Sequence, residues 1–584
     1  MDRHDVEVVL ALILRGTRSA SSLESQTLDF KTNKSSDKDT YQDLAEAAVC
    51  FANATGGLIV VGVADTTTGA DAFVGTSLRV DQLRSRVHAL TEPGIVVTVE
   101  ELEYARSRLL VIGVPEGLDV HSTKKGLVTR RWNDECLPMR PADVSRLDDE
   151  RRGADWTSQS SGRSPMDVDP DAMLRVRSLL RNAQDDARRV LGLASEPDVL
   201  NGLRLTHADG TLTRAGEILL CDSAVAAPDE ILVYQYRQTP GGEAVFARRW
   251  GTPMVTAFAE ALEAITARIG ITPVNTSAGQ QLQVEDYPVV AVREALANAL
   301  LHGDYRERRP VQVEHSPDSL TVRSPGPLVA GITPDNILTA GSRARFPLLT
   351  GACRTLGLAE ELGQGVDRMF REMARSGRSI PKFSVEHESH DPATVVSLAG
   401  GPPNVRVTRF ISDLPEAERN DTDTLLIVLL LCQRKSLTAR EVAPVIQRAI
   451  PATEAVLRRL ASGEAQLLEP TAGTTGRAHP NYRLRSAALV ALGPAVAYHR
   501  RSASDVDRKV VDHVREYETI NSATVQRIFD VDVYQARDIL RDFVGREILV
   551  RVSEQSRGPK VKYGPGPQFP DRRPRRGGNE KGMR

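Results

Sequence analysis

The alternation of apolar and polar positions near the start of the chain predicts a strand, a helix and a second strand. Residues 27–31 alternate, which is typical of a short strand that carries Asp29 and Lys31 on one face. A helix is expected from about residue 39 to 53, because apolar side chains recur there at helical spacing. The apolar run 58–63 then predicts a buried strand.

A second pattern, over residues 292–305, predicts a helix rich in alanine and leucine that ends at a glycine. Glu294, Asn298 and His302 are spaced four apart and therefore share one face of this helix. A carboxylate and an amide one turn apart can hold a hard cation and orient a water beside a triphosphate. By itself, the pattern fits better an amphipathic helix whose polar stripe faces solvent.

The residues that follow this helix change that balance. A strand-like run at 319–323 leads into the turn Ser324-Pro325-Gly326, and later Gly363-x-Gly365 opens a helix. A glycine-rich turn at a helix N-terminus presents free N–H groups and the positive end of the helix dipole to phosphate. One such turn is weak support, since glycines also cap helices. The ordered series favours a nucleotide site.

The block of roughly 200–400 resembles the RecG-like C-terminal ATPase domain, a branch of the GHKL (Bergerat-fold) superfamily. The resemblance includes Leu212-Thr213-Arg214-Ala215-Gly216 and Arg345-Phe346-Pro347, where that family usually has Arg-Asn-Pro. It implies ATP and Mg²⁺ as cofactors, with Asn298 as a Mg²⁺ ligand and Glu294 positioning or activating the attacking water. The resemblance also implies three glycines that line the nucleotide, namely Gly326, Gly363 and Gly365.

One departure from that family concerns the base. Other GHKL proteins read adenine with an aspartate just before the first glycine motif, and Ser324-Pro325-Gly326 has no acid there. We therefore expect ATP binding more than ATP hydrolysis, and a weak ATPase activity stays open. His302 is interpreted as a helix-end residue near the nucleotide, without assigned chemistry.

The N-terminal residues resemble the Schlafen AlbA-like domain, also described as a divergent AAA domain. The resemblance rests on Glu24-x4-Asp29-Phe30-Lys31, Phe51-Ala52-Asn53-x2-Gly56-Gly57 and a strand ending in Gly62-Val63-x-Asp65. In nucleolytic Schlafen proteins, acids at these positions form a metal-dependent RNA-cleaving site, which implies Glu24, Asp29 and Asp65 as metal ligands with Lys31 as electrostatic support. The alternative is that the acids pair with Lys31 and nearby arginines in a domain that only binds nucleic acid.

The last part of the chain predicts two helical units, each with three helices and a turn-rich ribbon. Thr438 and Glu441 form a capping-box pattern that starts the second helix of the first unit. Both units resemble winged helix-turn-helix domains, in which the third helix enters the major groove and the wing contacts the backbone. The DNA contacts that this resemblance implies are Arg458, Arg459, Arg477, Gln535, Arg537, Arg541, Lys560 and Lys562. Dimerisation or scaffolding is the alternative role of such units.

Together these patterns predict a multidomain α/β and α+β protein with an AlbA-like α/β domain, a GHKL (Bergerat) α/β sandwich and two small winged-helix domains. At 584 residues the chain is too long for one hydrophobic core. The predicted order is an AlbA-like domain at 1–148, a linker at 149–170, the ATP-binding domain at 171–401, a linker at 402–420, winged helices at 421–495 and 503–565, and a disordered basic tail at 566–584.

Composition narrows the classes further. No apolar run reaches the roughly 20 residues of a membrane span, and no signal peptide is predicted. The net charge of −2 requires that any nucleic-acid contact come from local basic patches. The five cysteines show no metal-site spacing and are predicted to be buried, reduced thiols of a cytoplasmic protein, namely Cys50, Cys136, Cys221, Cys353 and Cys432.

Two functions remain, and the sequence favours the first. One is an ATP-responsive, DNA-binding regulator of transcription, and the other is a metal-dependent endonuclease in defence or stress, with its site in the AlbA-like domain. A helicase is disfavoured, because the chain lacks a GxxxxGK[ST] phosphate loop. The expected partners are ATP and nucleic acid, with duplex DNA favoured and RNA open, and the default assembly is a homodimer.

Overall fold

The computed structural model describes residues 3–223, 228–275, 281–329, 331–359, 364–386, 392–471, 473–496, 503–529, 531–553, 555 and 561–570. Gly363, Lys560 and positions 571–584 of the predicted tail lie outside the described residues. The chain divides into two compact units, one of Met1–Leu429 with Leu437–Tyr482, the other of Leu430–Ser436 with Arg483–Arg584.

The N-terminal third of the first unit is built on a four-stranded sheet of order β1-β2-β5-β4. Strands β1 and β2 are parallel, and the other two pairs are antiparallel. The elements here are α1 Arg3–Leu14, β1 Leu28–Lys31, α2 Asp37–Ala52, β2 Gly57–Val61, α3 Val80–Leu90, β3 Thr91–Glu92, β4 Thr98–Tyr104, β5 Ser107–Val114, β6 Ser122–Thr123, β7 Thr129–Trp132, β8 Glu135–Pro138 and α4 Pro141–Arg152.

The alternation predicted for residues 27–31 is visible in the packing of β1. Leu28 and Phe30 join a core with α1, while Ile59 and Val61 of the neighbouring strand join a core with α2 and α3. Both faces of the sheet are therefore covered. The carboxyl group of Asp29, on the face opposite Leu28 and Phe30, is consequently buried. A buried carboxylate requires ionic or hydrogen-bonding partners.

The central part of the first unit holds a six-stranded sheet of order β10-β9-β13-β14-β16-β15. Its elements are α5 Pro170–Arg181, α6 Asp186–Leu191, α7 Glu196–Gly202, α8 Arg214–Leu220, β9 Leu232–Arg237, β10 Ala244–Trp250, α9 Met254–Thr266, β11 Ile271–Asn275, β12 Gln281–Glu285, α10 Val289–His302, β13 Val311–His315, β14 Ser319–Pro325, α11 Pro347–Thr355, α12 Gly365–Arg375, β15 Lys382–Glu386 and β16 Ala393–Ala399. One continuous apolar core joins α5, α8, α9, α10 and α11 to this sheet. The helix predicted at residue 292 and the strand predicted at 319 are α10 and β14.

The two predicted linkers contain regular structure. Residues 149–170 include the end of α4, which stops at the left-handed Gly153, and two bridges that tie Ser160 to Thr213 and Val168 to Cys221. Residues 402–420 hold α13 Val405–Ser412 and α14 Glu416–Arg419. These segments are polar and contain prolines, which is also the composition of linkers. Their helices are short and their bridges are isolated, so they leave no long periodic pattern in the sequence.

The C-terminal elements follow the predicted helix order. They are α15 Thr422–Gln433, α16 Ala439–Ile446, α17 Ile450–Ser462, β17 Leu468–Pro470, β18 Tyr482–Leu484, α18 Ser486–Leu492, α19 Ala503–Tyr517, α20 Ser522–Phe529, α21 Val533–Gly545, β19 Leu549–Arg551 and β20 Tyr563–Pro565. The capping box predicted at the start of α16 is present, with the Thr438 and Glu441 side chains each accepting the other's backbone N–H. Three helices and a two-stranded sheet occur twice, as α15 to α17 with β17 and β18, and as α19 to α21 with β19 and β20. DNA binding by either group stays a prediction.

The prediction of five reduced thiols is wrong for one pair. Cys50 and Cys136 form a disulfide, and Cys221, Cys353 and Cys432 are buried free thiols. The two bonded residues are 86 positions apart and meet because α2 packs against the β7–β8 hairpin, a contact that cysteine spacing does not reveal. Among the described residues, no helix has the length and apolar character needed to cross a membrane.

Candidate functional site

A pocket lies beside α10 in the six-stranded part of the first unit. Glu294, Asn298 and His302 all line it, so the polar face of α10 faces a cavity rather than solvent. Gly365, the first residue of α12, lies across from this face. The structure therefore brings these four predicted site residues together.

The remaining lining divides into two chemical kinds. The apolar part of the lining includes Val322, Leu328, Val329, Ile332, Ile337, Phe383 and Val396. The polar part, called the polar wall below, includes Ser324, Ser342, Arg343, Thr350, Arg354 and Thr394 in addition to the α10 residues. An apolar pocket with a few convergent polar groups is the usual form of a small-molecule site.

The polar wall contains hydrogen-bonding atoms that the protein leaves unused. Among the described residues that line the pocket, four buried side-chain atoms have no hydrogen-bond partner, namely Asn298 Nδ2, His302 Nδ1, Thr350 Oγ1 and Arg354 Nε. Buried polar groups are normally satisfied, and leaving one unsatisfied costs about 1–3 kcal/mol. Four such atoms around one cavity indicate a polar ligand.

Glu294 is bonded to Arg293 and lies close to Gly365. Its carboxylate is only 2% exposed and accepts a hydrogen bond from Arg293 Nη1 at 2.9 Å. On the other side, a Cβ on residue 365 would collide with Glu294 Oε2 and lie 3.8 Å from Asn298 Nδ2. Glycine at 365 thus permits the start of α12 to approach the α10 face closely.

Gly326 is not among the residues that line the pocket, and its contact with a nucleotide stays a prediction. Its φ of +86° is favoured only by glycine, and a Cβ there would lie 3.0 Å from the Cβ of Asp304. Its neighbour Pro327 lines the pocket. Gly326 therefore turns the chain past Asp304 and toward the pocket wall.

Asp304 is the centre of a buried ion-pair network that was not predicted. Its carboxylate is fully buried and pairs with Arg146, with Arg306 at 2.9 Å and with Arg345 at 3.7 Å. Burial alone would raise the pKa of Asp304, but the guanidinium groups of Arg345, Arg306 and Arg146 outweigh it and hold the pKa well below its usual range.

Arg345 connects this network to the pocket and to α4. Its side chain donates to Glu150 of α4 at 2.8 Å, to the backbone oxygen of His302 at 2.8 Å and to that of Pro327. His302 is consequently neutral, because burial, Arg345 and Arg354 lower its pKa to about 4. Arg345 thus links three parts of the first unit by hydrogen bonds: the end of α10, the pocket wall and α4.

The N-terminal acids form a second cluster. Asp29 is 1% exposed and pairs with Lys31 at 2.7 Å and with Arg131 at 3.4 Å. Glu24 is half-buried, and its Oε1 accepts the N–H of Phe30 at 3.4 Å. Burial and the charge of Asp29 raise the pKa of Glu24 to about 7.

Asp65 does not join this cluster as the sequence predicted. It is exposed, and its backbone oxygen accepts from Ser21. Gly62, which follows β2, has a φ of +107°, and its N–H still donates to the backbone oxygen of Lys31 at 2.8 Å. Among the residues that the structure describes, no three His, Cys, Asp or Glu side chains are grouped so that they could hold a metal ion.

Glu24→Gln is expected to stabilise the protein at pH 8 by about 1 kcal/mol and to change little at pH 5. The carboxyl has a folded pKa near 7, above its unfolded value, so ionisation destabilises the folded state progressively as the pH rises toward and through 7. Urea denaturation at both pH values measures the difference. An equal effect at pH 5 and pH 8 would assign the change to packing instead.

Asn53 of the Phe-Ala-Asn motif has a structural role. It is fully buried, its Nδ2 donates to the backbone oxygens of His121 and Thr129, and its Oδ1 accepts from the N–H of His121. This side chain therefore fixes the path of the chain into β7. The sequence motif alone does not distinguish such a residue from a ligand-binding one.

The basic residues predicted to contact DNA are on the surface. Arg458, Arg459 and Arg477 in the first unit are exposed, as are Gln535, Arg537, Arg541 and Lys562 in the second unit. Arg459 pairs with Asp421, and Arg541 pairs with Asp538 at 3.0 Å. Exposure is compatible with phosphate contact, which stays a prediction.

Comparison with known proteins identifies two parts of the chain. Residues 24–140 match the family described as "Schlafen, AlbA_2", and residues 308–392 match the family described as "Putative ATP-dependent DNA helicase recG C-terminal". No curated protein matches the chain. The fold is similar to the crystal structure of the DIP2311 protein from Corynebacterium diphtheriae, with 24% identity, a TM-score of 0.50, and coverage of 84% of this chain and 99% of that one.

These matches cover the first cluster of candidate residues and only part of the second. The first match begins at Glu24 and includes Asp29, Lys31 and Arg131. The second covers β13, β14, α11, α12 and the loop that walls the pocket, but it begins after α10, so Glu294, Asn298 and His302 lie outside it. The two domain types indicate nucleotide binding and nucleic-acid binding. The protein is a multidomain α/β chain that carries a Schlafen AlbA_2 domain followed by a RecG-like C-terminal domain.

Proposed function

We propose that this protein is an ATP-binding, DNA-binding regulator in which the pocket beside α10 senses nucleotide and controls the helix-turn-helix of α16 and α17. The observation that carries the proposal is a contact between these two parts. Gln447, in the turn between α16 and α17, donates from Nε2 to the backbone oxygen of Pro334 at 2.8 Å and accepts the N–H of Leu338 at 2.7 Å.

The loop that Gln447 holds is a wall of the pocket. Gln447 bonds to Pro334 and Leu338; Ile337 lies between these two residues and Ile332 lies just before them. Both isoleucines line the cavity. Gln447 has a φ of +54°, a conformation that non-glycine residues rarely adopt. A ligand that moves this loop would therefore act directly on the turn that orients α17.

The residues present fit ATP with Mg²⁺. The unused donors of Asn298, Thr350 and Arg354 suit phosphate oxygens, and the apolar part of the lining suits a base. Glu294 and Asn298 offer the oxygen ligands that Mg²⁺ takes when substrate phosphates and waters complete its shell. When bound, the ion neutralises phosphate charge; Asn298 would hold it and Glu294 would orient water near it. Arg293 fixes the Glu294 carboxylate in that position.

A metal-dependent nuclease is the second candidate, and one observation favours it. Glu24 has a pKa near neutrality beside Asp29 and Lys31, as a proton-transferring residue would. The charge of Asp29 is already compensated by Lys31 and Arg131, which favours a structural or nucleic-acid-binding cluster. The regulator therefore remains our first choice, with a cytoplasmic homodimer as its expected state.

The test measures affinity for labelled duplex DNA by fluorescence anisotropy, with and without ATP and Mg²⁺, over a salt series. We expect ATP to change the affinity of the wild type by about 5- to 100-fold, the usual range of allosteric coupling. Gln447→Ala is expected to keep ATP binding and remove that change. Gln447→Glu keeps the acceptor for Leu338 and loses the donor to Pro334, so an intermediate effect is expected.

Two results would contradict the proposal. One is duplex binding that ATP leaves unchanged in the wild type, and the other is the absence of salt-dependent binding. Incubation with labelled tRNA, mRNA and duplex DNA in Mg²⁺ or Mn²⁺ tests the nuclease. Cleavage that Asp29→Asn abolishes in a folded variant would replace the regulator by the nuclease.

A further inference from the structure

Two side chains on α11 complete the polar wall of the pocket. Thr350 and Arg354 are four residues apart and therefore share one face of this helix, and both line the cavity. Asn298 and His302 are spaced in the same way on α10. Each helix thus contributes two polar side chains to one cavity.

Three of the four unpartnered atoms on this wall are hydrogen-bond donors. Asn298 Nδ2, Thr350 Oγ1 and Arg354 Nε can each donate a hydrogen bond, and among the described residues none of them has an acceptor. A ligand that satisfies them must present several acceptor oxygens close together. Phosphate groups do so, and they also carry the negative charge that a guanidinium recognises.

Arg354 is engaged by fewer protein groups than Arg345 and Arg293, two described arginines that lie near the same cavity. Arg345 is engaged by Glu150, by Asp304 and by two backbone oxygens, and Arg293 is engaged by Glu294 and by the backbone oxygen of Gly357. Arg354 donates through Nη2 to the hydroxyl of an exposed serine, Ser342 Oγ, at 3.0 Å. Its buried Nε is directed to no acceptor among the described residues.

The charge around the cavity supports the same ligand. The Glu294 carboxylate is compensated by Arg293, and His302 is neutral. Arg343 and Arg354 add positive charge to the lining. An anion entering this end of the cavity meets a field that favours it.

We infer that Thr350 and Arg354 of α11 bind the phosphate groups of the nucleotide, so that the pocket selects its ligand by the number of phosphates. The inference rests on the proposed function, because it assumes that the ligand is a nucleotide. It adds a second helix to the site, and it makes Arg354 a specificity-determining residue for di- and triphosphates over monophosphates and nucleosides.

The experiment compares the affinities of ATP, ADP, AMP, adenosine, GTP and inorganic tripolyphosphate by isothermal titration calorimetry. The variants are Arg354→Met, which keeps much of the apolar length, Arg354→Lys, which keeps the charge, and Thr350→Val, which removes one donor. Arg175→Met on α5, outside the pocket, is the matched control. Circular dichroism and thermal unfolding verify that each variant is folded.

We expect Arg354→Met to weaken ATP binding by about 10- to 100-fold, in keeping with about 1.5–3 kcal/mol for a hydrogen bond to a charged group. Adenosine affinity should change little, so the ratio of ATP to adenosine affinity falls. Arg354→Lys should recover part of that ratio, Thr350→Val should lower it less, and Arg175→Met should leave it unchanged.

The outcomes separate the inference from the proposed function. Equal loss of ATP and adenosine binding in Arg354→Met, or an unchanged ATP affinity, would overturn the phosphate role while nucleotide binding stands. Tripolyphosphate binding that needs Arg354, without nucleotide binding, would uphold the phosphate site and overturn the nucleotide function. A wild type that binds none of these ligands would overturn both.

Discussion

Asp304→Ala is expected to lower the free energy of unfolding of the first unit by about 3–5 kcal/mol, the usual result of removing one partner from a buried ion pair. The change leaves Arg146, Arg306 and Arg345 close together without their shared carboxylate. Their mutual repulsion should loosen α4, the end of α10 and the pocket wall. Urea denaturation of the full chain, followed by tryptophan fluorescence, measures the loss.

Asp367→Ala is the matched control for this change. Asp367 pairs with Arg371 one turn away at 2.9 Å, with its side chain 40% exposed, and such surface pairs contribute about 0.5 kcal/mol or less. Asp304→Asn tests the charge separately, because it keeps an acceptor for Arg306. An effect of Asp304→Ala no larger than that of Asp367→Ala would contradict the assignment of Asp304 as the centre of the network.

The same network predicts the direction of an acid effect. The pKa of Asp304 is depressed in the folded state, so its stabilising contribution is complete above the unfolded pKa of about 3.9. It is lost as the pH falls below that value and through the folded pKa. Wild type and Asp304→Asn should therefore differ less in stability at pH 3 than at pH 7.

Gly365→Ala is expected to weaken nucleotide binding by about 10- to 100-fold, the equivalent of about 1–3 kcal/mol for inserting a methyl group into a packed site. The added Cβ would collide with Glu294 Oε2 beside Asn298. Either the start of α12 or the Glu294 carboxylate must then move. Calorimetric titration with ATP and Mg²⁺ measures the change.

Gly351→Ala on α11 is the matched control for this substitution. A Cβ at residue 351 meets no atom within 4 Å, and alanine raises helix propensity by about 1 kcal/mol relative to glycine. This variant should be slightly more stable and bind ATP normally. Equal ATP affinity in wild type and Gly365→Ala would contradict the position of the nucleotide beside α10 and α12.

The local elements of this protein follow from sequence patterns because they depend on nearby residues. The spacing of Glu294, Asn298 and His302 was sufficient to predict that one face of a helix is polar. The spacing of Thr438 and Glu441 was sufficient to predict a capped helix start. The two domain resemblances, each carried by short motifs, are confirmed by the family matches. The disulfide was missed, since its two cysteines meet only through the packing of α2 on a distant hairpin.

The sequence by itself determined which residues share a helix face and which turns require glycine. Only the tertiary structure decided that the α10 face lines a cavity, that Thr350 and Arg354 lie on the wall of the same cavity, and that Asp65 is not gathered into a metal-holding group with Glu24 and Asp29. The tertiary structure also decided that Asp304 pairs with three arginines and that Gln447 bonds to the pocket loop at Pro334 and Leu338. The reason is physical: helix period and turn geometry act within a few residues, whereas burial, ion pairing and cavity formation also depend on residues that are distant in the chain, such as Arg345 and His302, 43 positions apart, and Arg146 and Asp304, 158 positions apart.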